Sequence, residues 1–230
     1  MLSGDRVLLN VGNYKFNIRH LLIIAVLAIA FSTAFIMRSF PIKYGYYLNE
    51  FDPYFDYRAA KYIVDNGLEA YLKWHDNMSW YADGRDIAKT SQVGLHVTAA
   101  NLYKIFGGNS SILDFTIIFP VVIGSLTTIV VFALVRSLGG TTAGLFSALL
   151  IAFTPAIIQR GNLGWFKSEP LGLFLGLLAL YLLISAMKHK PRIAIVKAIA
   201  GGLLLGLANA SWGGIQYFSI PISLFFFAVT

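Results

Sequence analysis

Six long runs of apolar residues constrain the fold of this chain more than any other feature of its sequence. A helix that crosses a bilayer needs about 20 mostly apolar residues. We predict a first transmembrane helix at 19–38 and helices two to six within 112–230, where the apolar runs are 113–135, 141–158, 171–187, 193–210 and 215–230. The pattern therefore predicts an all-α polytopic membrane protein with about six spans. The last run has not ended at residue 230, so we expect a truncated transmembrane domain with further spans beyond it.

The composition supports this fold class and argues against a nucleic-acid-binding protein. Hydrophobic residues make up 57% of the chain and charged residues 13%, whereas a soluble domain carries roughly 25% charged residues. The net charge is +7, but the basic residues flank the apolar runs instead of clustering on one solvated face. We therefore expect membrane lipids and no nucleic acid as partners. The absence of cysteine excludes disulfides and thiolate metal sites.

The positions of the basic residues predict the orientation of the spans. Cytoplasmic loops carry an excess of Lys and Arg. If six spans alternate, the tail 1–18, Arg136 and the loop 188–197 share one side, so we place them in the cytoplasm. The opposite, external side then receives three segments, at 39–111, 160–170 and 211–214. Eight of the eleven acidic residues fall in the first of these segments, so acidic residues and polar turns should gather outside.

The long external loop, 39–111, favours short amphipathic helices over a folded β domain. Apolar residues recur at helical spacing over 55–64, and Asn66-Gly67 supplies a stop signal. A second helix is predicted over 92–106, ending at a pair of glycines. The four histidines of the chain show no metal-ligand spacing, and glycine-rich nucleotide-binding patterns are absent.

The first candidate site is Asp52, which follows the first span closely enough to lie near the external membrane surface. Asp52 precedes Pro53, so one interpretation is an N-cap of an amphipathic helix with no chemical role. The other is a carboxylate that binds a divalent cation, which in turn holds a phosphate. Asp56 and Arg58 could belong to such a site or be solvated surface charges.

The second candidate site is a short turn, 159–170, that two flanking spans hold at the membrane edge. Arg160 and Glu169 are its ionisable residues closest to the hydrocarbon, where charges are costly and usually functional. The alternative is that Arg160 extends its side chain to the interface while Glu169 caps the next helix. The glycines allow the backbone to form a tight turn here without any chemical role.

The third candidate site is the turn Trp212-Gly213-Gly214 after the fifth span. The two glycines would let the backbone approach a ligand or another helix closely. The alternative is a plain turn with an interfacial tryptophan, which is common at membrane surfaces.

The three segments, in this order, resemble the catalytic subunit of oligosaccharyltransferase, particularly its archaeal form. The resemblance covers nearly all of the 230 residues, and its spacing relative to the spans makes it more specific than any single motif. The residues that carry it are Glu50-Phe51-Asp52-Pro53-Tyr54-Phe55 with Tyr57-Arg58-Ala59, then Trp80-Tyr81 with Gly84-Arg85, and Ser211-Trp212-Gly213-Gly214.

The resemblance implies a membrane-embedded, metal-dependent inverting glycosyltransferase of the C-type class. Such an enzyme takes an oligosaccharide from a dolichyl phosphate or pyrophosphate carrier and transfers it to Asn in Asn-x-Ser/Thr of an acceptor polypeptide, on the non-cytoplasmic face. It also implies a site for Mn²⁺ or Mg²⁺. The implied roles are metal binding for Asp52 and Glu169, catalysis for these two residues and Arg160, and substrate binding for Lys167, Trp212, Gly213 and Gly214.

The family has a second, Asp-x-Asp/Glu-like acidic motif, and Glu169 falls on its last acidic position. One residue departs from this pattern, because Lys167 occupies the first acidic position of the motif. An ammonium group cannot bind a cation at neutral pH, so three outcomes are open. Asp52 and Glu169 could suffice with a ligand from beyond residue 230, or Lys167 could partly replace the metal charge. Alternatively, the chain could be a paralogue that has lost the reaction.

Other functions remain as alternatives to the oligosaccharyltransferase. Another C-type glycosyltransferase would keep the architecture and change the acceptor, and an inactive paralogue would act as a scaffold that could associate with other membrane subunits. A transporter usually has charged positions or broken helices at midspan, whereas the charged positions here gather at the ends of the spans. We expect the 230 residues alone to be inactive, because the family's later external loop and soluble domain are absent.

Overall fold

The computed structural model describes residues 7–11 and 14–229. The tail predicted at 1–18 therefore lies partly outside the described residues. Arg6, which contributed to the predicted orientation, and Thr230 at the end of the last apolar run also lie outside them. The first elements of the structure are β1 (Val7–Val11), its antiparallel partner β2 (Tyr14–Asn17), α1 (Ile18–Ser39) and a 3₁₀ turn (Phe40–Tyr44).

The loop between α1 and the next long helix contains helices, as predicted, with only a two-residue strand pair. Its elements are α2 (Phe51–Leu72), β3 (His75–Asp76), β4 (Arg85–Asp86), α3 (Ile87–Thr90) and α4 (Val93–Phe106). Gly67 interrupts α2 with a left-handed φ of 85°, at the position of the expected stop. The N-cap interpretation of Asp52 is wrong, because α2 begins at Phe51 and Asp52 lies within its first turn.

The rest of the described chain is almost entirely helical. It comprises α5 (Ile112–Phe153), α6 (Pro155–Gln159), α7 (Ser168–Ala186), α8 (Pro191–Ser211), a 3₁₀ turn (Gly213–Ile215) and α9 (Gln216–Val229). Gly140 departs from helical geometry inside the range of α5, so the second and third predicted runs are two helical segments separated at this glycine. Four helices among residues 7–11 and 14–229 are long and apolar enough to cross a membrane: α1 with its 3₁₀ extension, α5, α7 and α8. The all-α membrane fold is confirmed, while the number of six spans stays a prediction.

The exposure of α1 agrees with a position in lipid. Leu21, Leu22 and Ile29 each leave 58% of their surface uncovered, and a bilayer solvates such apolar side chains as well as a protein interior does. On its other side α1 packs against α5, which also contacts α7, and α7 packs along α8.

The loop 39–111, which we call the external loop after its predicted side, packs on one end of this helical layer. The helices α2 and α4 contact each other, and α4 also contacts α8. A Cβ atom at Gly94 of α4 would lie 2.7 Å from the carbonyl carbon of Ala210 in α8, so only glycine lets the two backbones come this close. This contact brings the external loop over the end of α8, where Trp212 begins the third candidate turn.

Candidate active site

Hydrogen bonds to main-chain carbonyls join the second candidate turn to the residues that precede α2 and to α5. The backbone N–H of Asn49 donates to the carbonyl of Gly164 at 3.0 Å, and the Asn49 side-chain amide donates to the carbonyl of Leu163 at 2.7 Å. The N–H of Gly164 donates to the carbonyl of Ile117 in α5 at 3.0 Å. We call these three bonds the loop dock. The loop dock fixes two segments that are more than 100 residues apart in the sequence.

Gly164 is the residue of the loop dock that tolerates substitution least. Its φ is +80°, and a Cβ atom there would collide with the carbonyl oxygen of Tyr47. We expect Gly164→Ala to destabilise the protein by at least about 1–2 kcal/mol, the cost of a left-handed residue with a side chain. The measurement is the thermal unfolding midpoint of the full-length protein in detergent.

Gly161 provides a matched control in the same turn. A Cβ atom at Gly161 would make only ordinary contacts, the nearest at 3.4 Å, and Gly161 is not among the described glycines with positive φ. Gly161→Ala should therefore leave the midpoint nearly unchanged. An equal loss of stability in both variants would show that Gly164 has no special role in the loop dock.

Asp52 lies three residues after Asn49, and Lys167 lies three residues after Gly164. The side chains of Asp52 and Lys167 contact each other. The ammonium nitrogen Nζ of Lys167 lies 2.6 Å from Oδ2 of Asp52. The Asp52 side chain is 65% exposed and that of Lys167 is 17% exposed. The surface of the aspartate is therefore largely uncovered, while the lysine is mostly buried. Burial opposes the charged form of Lys167. The hydrogen bond and charge of Asp52, together with the charges of Glu169 and Glu50, nevertheless raise the pKa of Lys167 above its ordinary value.

Glu169 forms a second ion pair in the same turn. Its Oε1 lies 3.3 Å from Nη1 of Arg160, while Oε2 is buried and has no hydrogen-bond partner among the described residues. The guanidinium carbon of Arg160 and the ammonium nitrogen of Lys167 lie 5.2 Å and 5.0 Å from the centre of the Trp165 ring. Contacts with Trp165 at these distances are favourable cation–π interactions, which help to hold both cations near Glu169.

Two cavities meet at Glu169 and Trp212. The larger one, about 610 Å³, opens toward the external loop and is lined by Asp52, Lys167, Glu169 and Trp212 among others. We call it the polar cavity. The smaller one, about 340 Å³, lies between the helices, where Arg160, Glu169 and Trp212 share its wall with mostly apolar residues. The structure therefore brings four of the predicted site residues to the polar cavity and places Arg160 at the smaller one.

The two glycines of the third candidate turn do not line either of these cavities. A Cβ atom at Gly214 would collide with the indole of Trp212, whereas Gly213 has open space around it. The indole of Trp212 also packs on Gly172 of α7, where a Cβ atom would lie 3.3 Å from the ring. The glycines around Trp212 thus make room for its ring, which forms part of the wall of both cavities.

A buried chain of hydrogen bonds behind the polar cavity was not predicted from the sequence. Nε2 of His96 lies 2.8 Å from Oδ1 of Asp56, and Nδ1 lies 2.7 Å from the Tyr71 hydroxyl. A neutral imidazole satisfies both contacts if it donates to Asp56 and accepts from Tyr71. Burial raises the pKa of Asp56, and the bond from His96 opposes that shift. Asp56 lines the polar cavity and is only 14% exposed, so it is not a solvated surface charge.

The sequence contained a signal for this set of buried hydrogen bonds. His96 lies on the same face of α4 as Ala99 and Ala100, all of them buried. A histidine on a buried face needs hydrogen-bond partners, and Asp56 lies one helical turn beyond Asp52 in α2, on the same face. The sequence does not show that α2 and α4 pack together, and that contact makes the pair.

Arg58 is also paired rather than solvated. It donates to the carboxylate of Asp76, which is 3% exposed and also accepts hydrogen bonds from the Ser79 hydroxyl and from the Met78 N–H, the latter at 3.1 Å. This cluster holds the segment after α2 against the helix.

The donor groups of the polar cavity fit a hard divalent cation. Asp52 and Glu169 offer carboxylate oxygens, which Mg²⁺ and Mn²⁺ prefer, and Oε2 of Glu169 is buried without a partner among the described residues. No three His, Asp or Glu side chains converge as metal ligands in the part of the chain that the structure describes. The two carboxylates could therefore supply part of a coordination shell, and the Lys167 ammonium would compete with the cation for Asp52.

Comparison with known proteins shows which family the sequence is similar to. The sequence model of the family described as oligosaccharyl transferase STT3, N-terminal, matches residues 21–230. The rice (Oryza sativa subsp. japonica) dolichyl-diphosphooligosaccharide–protein glycosyltransferase subunit STT3B is 32% identical over 206 residues, which are 84% of this chain and 27% of the relative. The STT3 subunit of Saccharomyces cerevisiae is 28% identical over 190 residues, 80% of this chain and 26% of the relative. The chain thus spans about a quarter of the length of these curated relatives.

Solved structures of the Archaeoglobus fulgidus oligosaccharyltransferase share the fold. The apo form has a TM-score of 0.75 and 22% identity, over 88% of this chain and 25% of that protein. The same enzyme, AglB, in complex with an inhibitory peptide and a dolichol-phosphate has a TM-score of 0.75 and 22% identity, over 91% and 26% of the two chains. Its complex with Zn and sulfate has a TM-score of 0.73 and 22% identity, over 87% and 26%.

Proposed function

The chain belongs to the oligosaccharyl transferase STT3 family, and on that premise we propose that it is the membrane-embedded N-terminal part of an oligosaccharyltransferase. The enzyme would transfer an oligosaccharide from a dolichyl phosphate or pyrophosphate carrier to Asn in Asn-x-Ser/Thr of an acceptor polypeptide. The observation that carries the proposal is the convergence of Asp52, Lys167, Glu169 and Trp212, from three separate segments, on one polar cavity. The names of the relatives and the dolichol-phosphate complex of AglB support the same chemistry.

We assign the following roles to the residues of the polar cavity. Asp52 and Glu169 would hold a divalent metal, Mn²⁺ or Mg²⁺, together with ligands from other parts of the enzyme. The metal, when bound, would supply positive charge for the departing phosphate. Arg160 keeps Glu169 oriented through their ion pair, and Lys167 adds a fixed positive charge that attracts the phosphate of the carrier. Trp212 separates the polar cavity from the smaller cavity between the helices.

The polar cavity would face the external side of the membrane. Under this proposal the tail 1–18 and the loop 188–197 are cytoplasmic, and the loop 39–111 and the turns near 160–170 and 211–214 are external. A carrier could then move its phosphate in from the bilayer at the membrane edge, where the loop dock holds Asp52 and Lys167. In an archaeon the membrane would be the cell membrane.

One observation favours a second candidate, an inactive paralogue that serves as a membrane scaffold. The ammonium of Lys167 is hydrogen-bonded to Asp52 at 2.6 Å, where it opposes the binding of a cation. A scaffold would need neither metal nor transfer activity and would keep the fold and its packing.

A transfer assay with full-length protein in membranes tests the proposal. The substrates are the native lipid-linked glycan and a fluorescent Asn-x-Thr peptide. We expect transfer by the wild-type protein and its loss on chelation of divalent metal. Well-folded wild-type protein that transfers nothing would favour the scaffold, and transfer that persists in chelator would refute the metal assignment.

Lys167→Gln probes the competition between lysine and metal in the same assay. Removing a positive charge next to Asp52 should lower the Mn²⁺ concentration for half-maximal transfer by about tenfold or more, because like charges at this distance repel strongly in a partly buried site. Lys73→Gln is the matched control, since Lys73 is 74% exposed and pairs with Glu69 outside the polar cavity. An unchanged Mn²⁺ requirement in Lys167→Gln would show that Lys167 does not lie near the metal.

A further inference from the structure

The side chain of Arg85 is held in place by aromatic rings and has no carboxylate partner among the residues that the structure describes. Its guanidinium carbon lies 4.0 Å from the centre of the Phe55 ring and 4.9 Å from that of Trp80. Its Nε is buried without a hydrogen-bond partner, and Arg85 forms no ion pair with another residue among those that the structure describes. Arg85 also lines the polar cavity. A guanidinium held between aromatic rings presents its planar set of N–H donors in a restricted position, where they can bind oxygen atoms of a ligand.

Trp80 presents a large aromatic surface at the same place. Its side chain is 61% exposed although the residue lines the polar cavity. The backbone of Trp80 has a φ of +53°, which is uncommon for a residue with a bulky side chain. The carbonyl of Trp80 accepts a hydrogen bond from the N–H of Gly84 at 3.0 Å, so a closed turn holds the indole in this exposed position. Strained residues of this kind concentrate at ligand-binding sites.

The polar cavity is lined by two chemically different sets of side chains. The first set is Asp52, Lys167 and Glu169, the groups suited to a cation and a phosphate. The second set comes from the loop 39–111 and combines aromatic rings with hydrogen-bonding groups, namely Phe51, Phe55, Asp56, Ser79, Trp80 and Arg85. A sugar ring has apolar C–H faces and a rim of hydroxyl groups, so it suits a site with aromatic surface and a few oriented polar groups.

We propose that Trp80 and Arg85 form a sugar-binding subsite for the glycan of the lipid carrier. A pyranose ring would stack on the indole of Trp80, and the guanidinium of Arg85 would donate hydrogen bonds to its oxygen atoms. The inference rests on the proposed function, which assigns the phosphate of the carrier to the first set. The sugar attached to that phosphate would then enter the same cavity, where the second set offers it Trp80 and Arg85.

Tryptophan fluorescence of the full-length protein in lipid nanodiscs tests the subsite without relying on transfer. The two probes are dolichyl phosphate, which has no sugar, and the native lipid-linked oligosaccharide, both without acceptor peptide. The signal of Trp80 is the difference between wild-type protein and Trp80→Phe. We expect the oligosaccharide carrier to change this signal saturably and dolichyl phosphate to leave it unchanged. An equal response to both probes would overturn the proposal, because Trp80 would then sense the lipid or the phosphate.

Steady-state kinetics provide a second readout. Trp80→Leu and Arg85→Met should each raise the KM for the lipid-linked oligosaccharide by about tenfold or more, the cost of losing a stacking or charge-assisted contact. Arg85→Lys should raise it as well, because lysine keeps the charge and loses the planar set of donors. The KM for the acceptor peptide should not change. A rise in the peptide KM instead would assign Trp80 and Arg85 to the acceptor and overturn the proposal.

Tyr81→Leu is the matched control, since Tyr81 is a fully exposed aromatic residue in the same turn that does not line the polar cavity. We expect it to change neither the fluorescence response nor the donor KM. If Tyr81→Leu raised the donor KM as much as Trp80→Leu, the effect would belong to the turn in general and the subsite would be refuted. A Trp80 response to the oligosaccharide carrier in protein that transfers nothing would support the subsite and contradict the proposed transferase function alone.

Discussion

Transfer of glycan to an Asn-x-Thr peptide should fall by about 10²–10³-fold or more when Asp52 is replaced by alanine in the full-length protein. Asp52 is the carboxylate of the first external segment that reaches both the polar cavity and Lys167. Without it, the metal would lose a ligand and the Lys167 ammonium would lose its hydrogen-bond partner. The measurement is the rate of transfer at saturating peptide and lipid-linked glycan.

Asp65→Ala is the matched control for Asp52→Ala. Asp65 lies in the same helix, pairs with Lys61 and is 47% exposed, and it does not line the polar cavity. Its replacement should leave the rate within about a factor of two, because exposed ion pairs contribute little. Asp52→Asn separates charge from shape, and we expect it to be nearly as inactive as Asp52→Ala. Full activity in Asp52→Asn would show that the carboxylate charge is not needed.

The second large effect should come from Asp76, which lies outside the polar cavity. Asp76→Asn should destabilise the external loop by about 3 kcal/mol, since it leaves Arg58 without its counter-charge in a site where Asp76 is 3% exposed. Cleavage of the loop by a protease in increasing urea measures the free energy of unfolding. Glu69→Gln is the control, because Glu69 forms an ion pair and is 85% exposed.

The same residue should make the stability of the loop depend on pH. Burial would raise the pKa of Asp76, but hydrogen bonds from Ser79 and from the Met78 N–H, with the charge of Arg58, lower it below its ordinary value. A carboxyl group with a lowered pKa in the folded state stabilises the fold above its unfolded pKa, near 3.9. That stabilisation is lost as the pH falls through the folded pKa. We expect the free energy of unfolding to fall in acid below about pH 4 for the wild-type protein and to fall less for Asp76→Asn.

The sequence was sufficient to predict the elements whose signals are local. The apolar runs predicted α1, α7 and α8 closely, and the helix expected over 92–106 corresponds to α4 (Val93–Phe106). Counting spans and basic loops also predicted that Asp52, the 160–170 turn and Trp212 share one side. Their approach to a common cavity agrees with that prediction, while their chemical roles remain proposals.

Contacts that depend on how helices pack could not be predicted from the sequence. His96 lies 40 residues from Asp56 along the chain, and no local pattern indicates that α4 would cover α2 at that point. The hydrogen bond between Lys167 and Asp52 could not be predicted either, because a mismatch with the family motif does not indicate which carboxylate the lysine will contact. The separation of the runs 113–135 and 141–158 was local enough to be predicted, because the backbone of Gly140 breaks the helical geometry between them.

The loop dock has a consequence for how the protein is made. Lys167 follows Asp52 by 115 residues, and Leu163 and Gly164 are synthesised just before it. At a synthesis rate of about 5–20 residues per second, Asp52 would wait roughly 6 to 23 seconds for its partners. During that interval α1 already exists, the rest of the loop 39–111 and α5 are being made, and α7 does not yet exist. The contact between Asp52 and Lys167 therefore forms late, after the ribosome has passed the 160–170 turn, and Trp212 joins the polar cavity later still. A chain interrupted before residue 167 would carry Asp52 with no lysine to meet it.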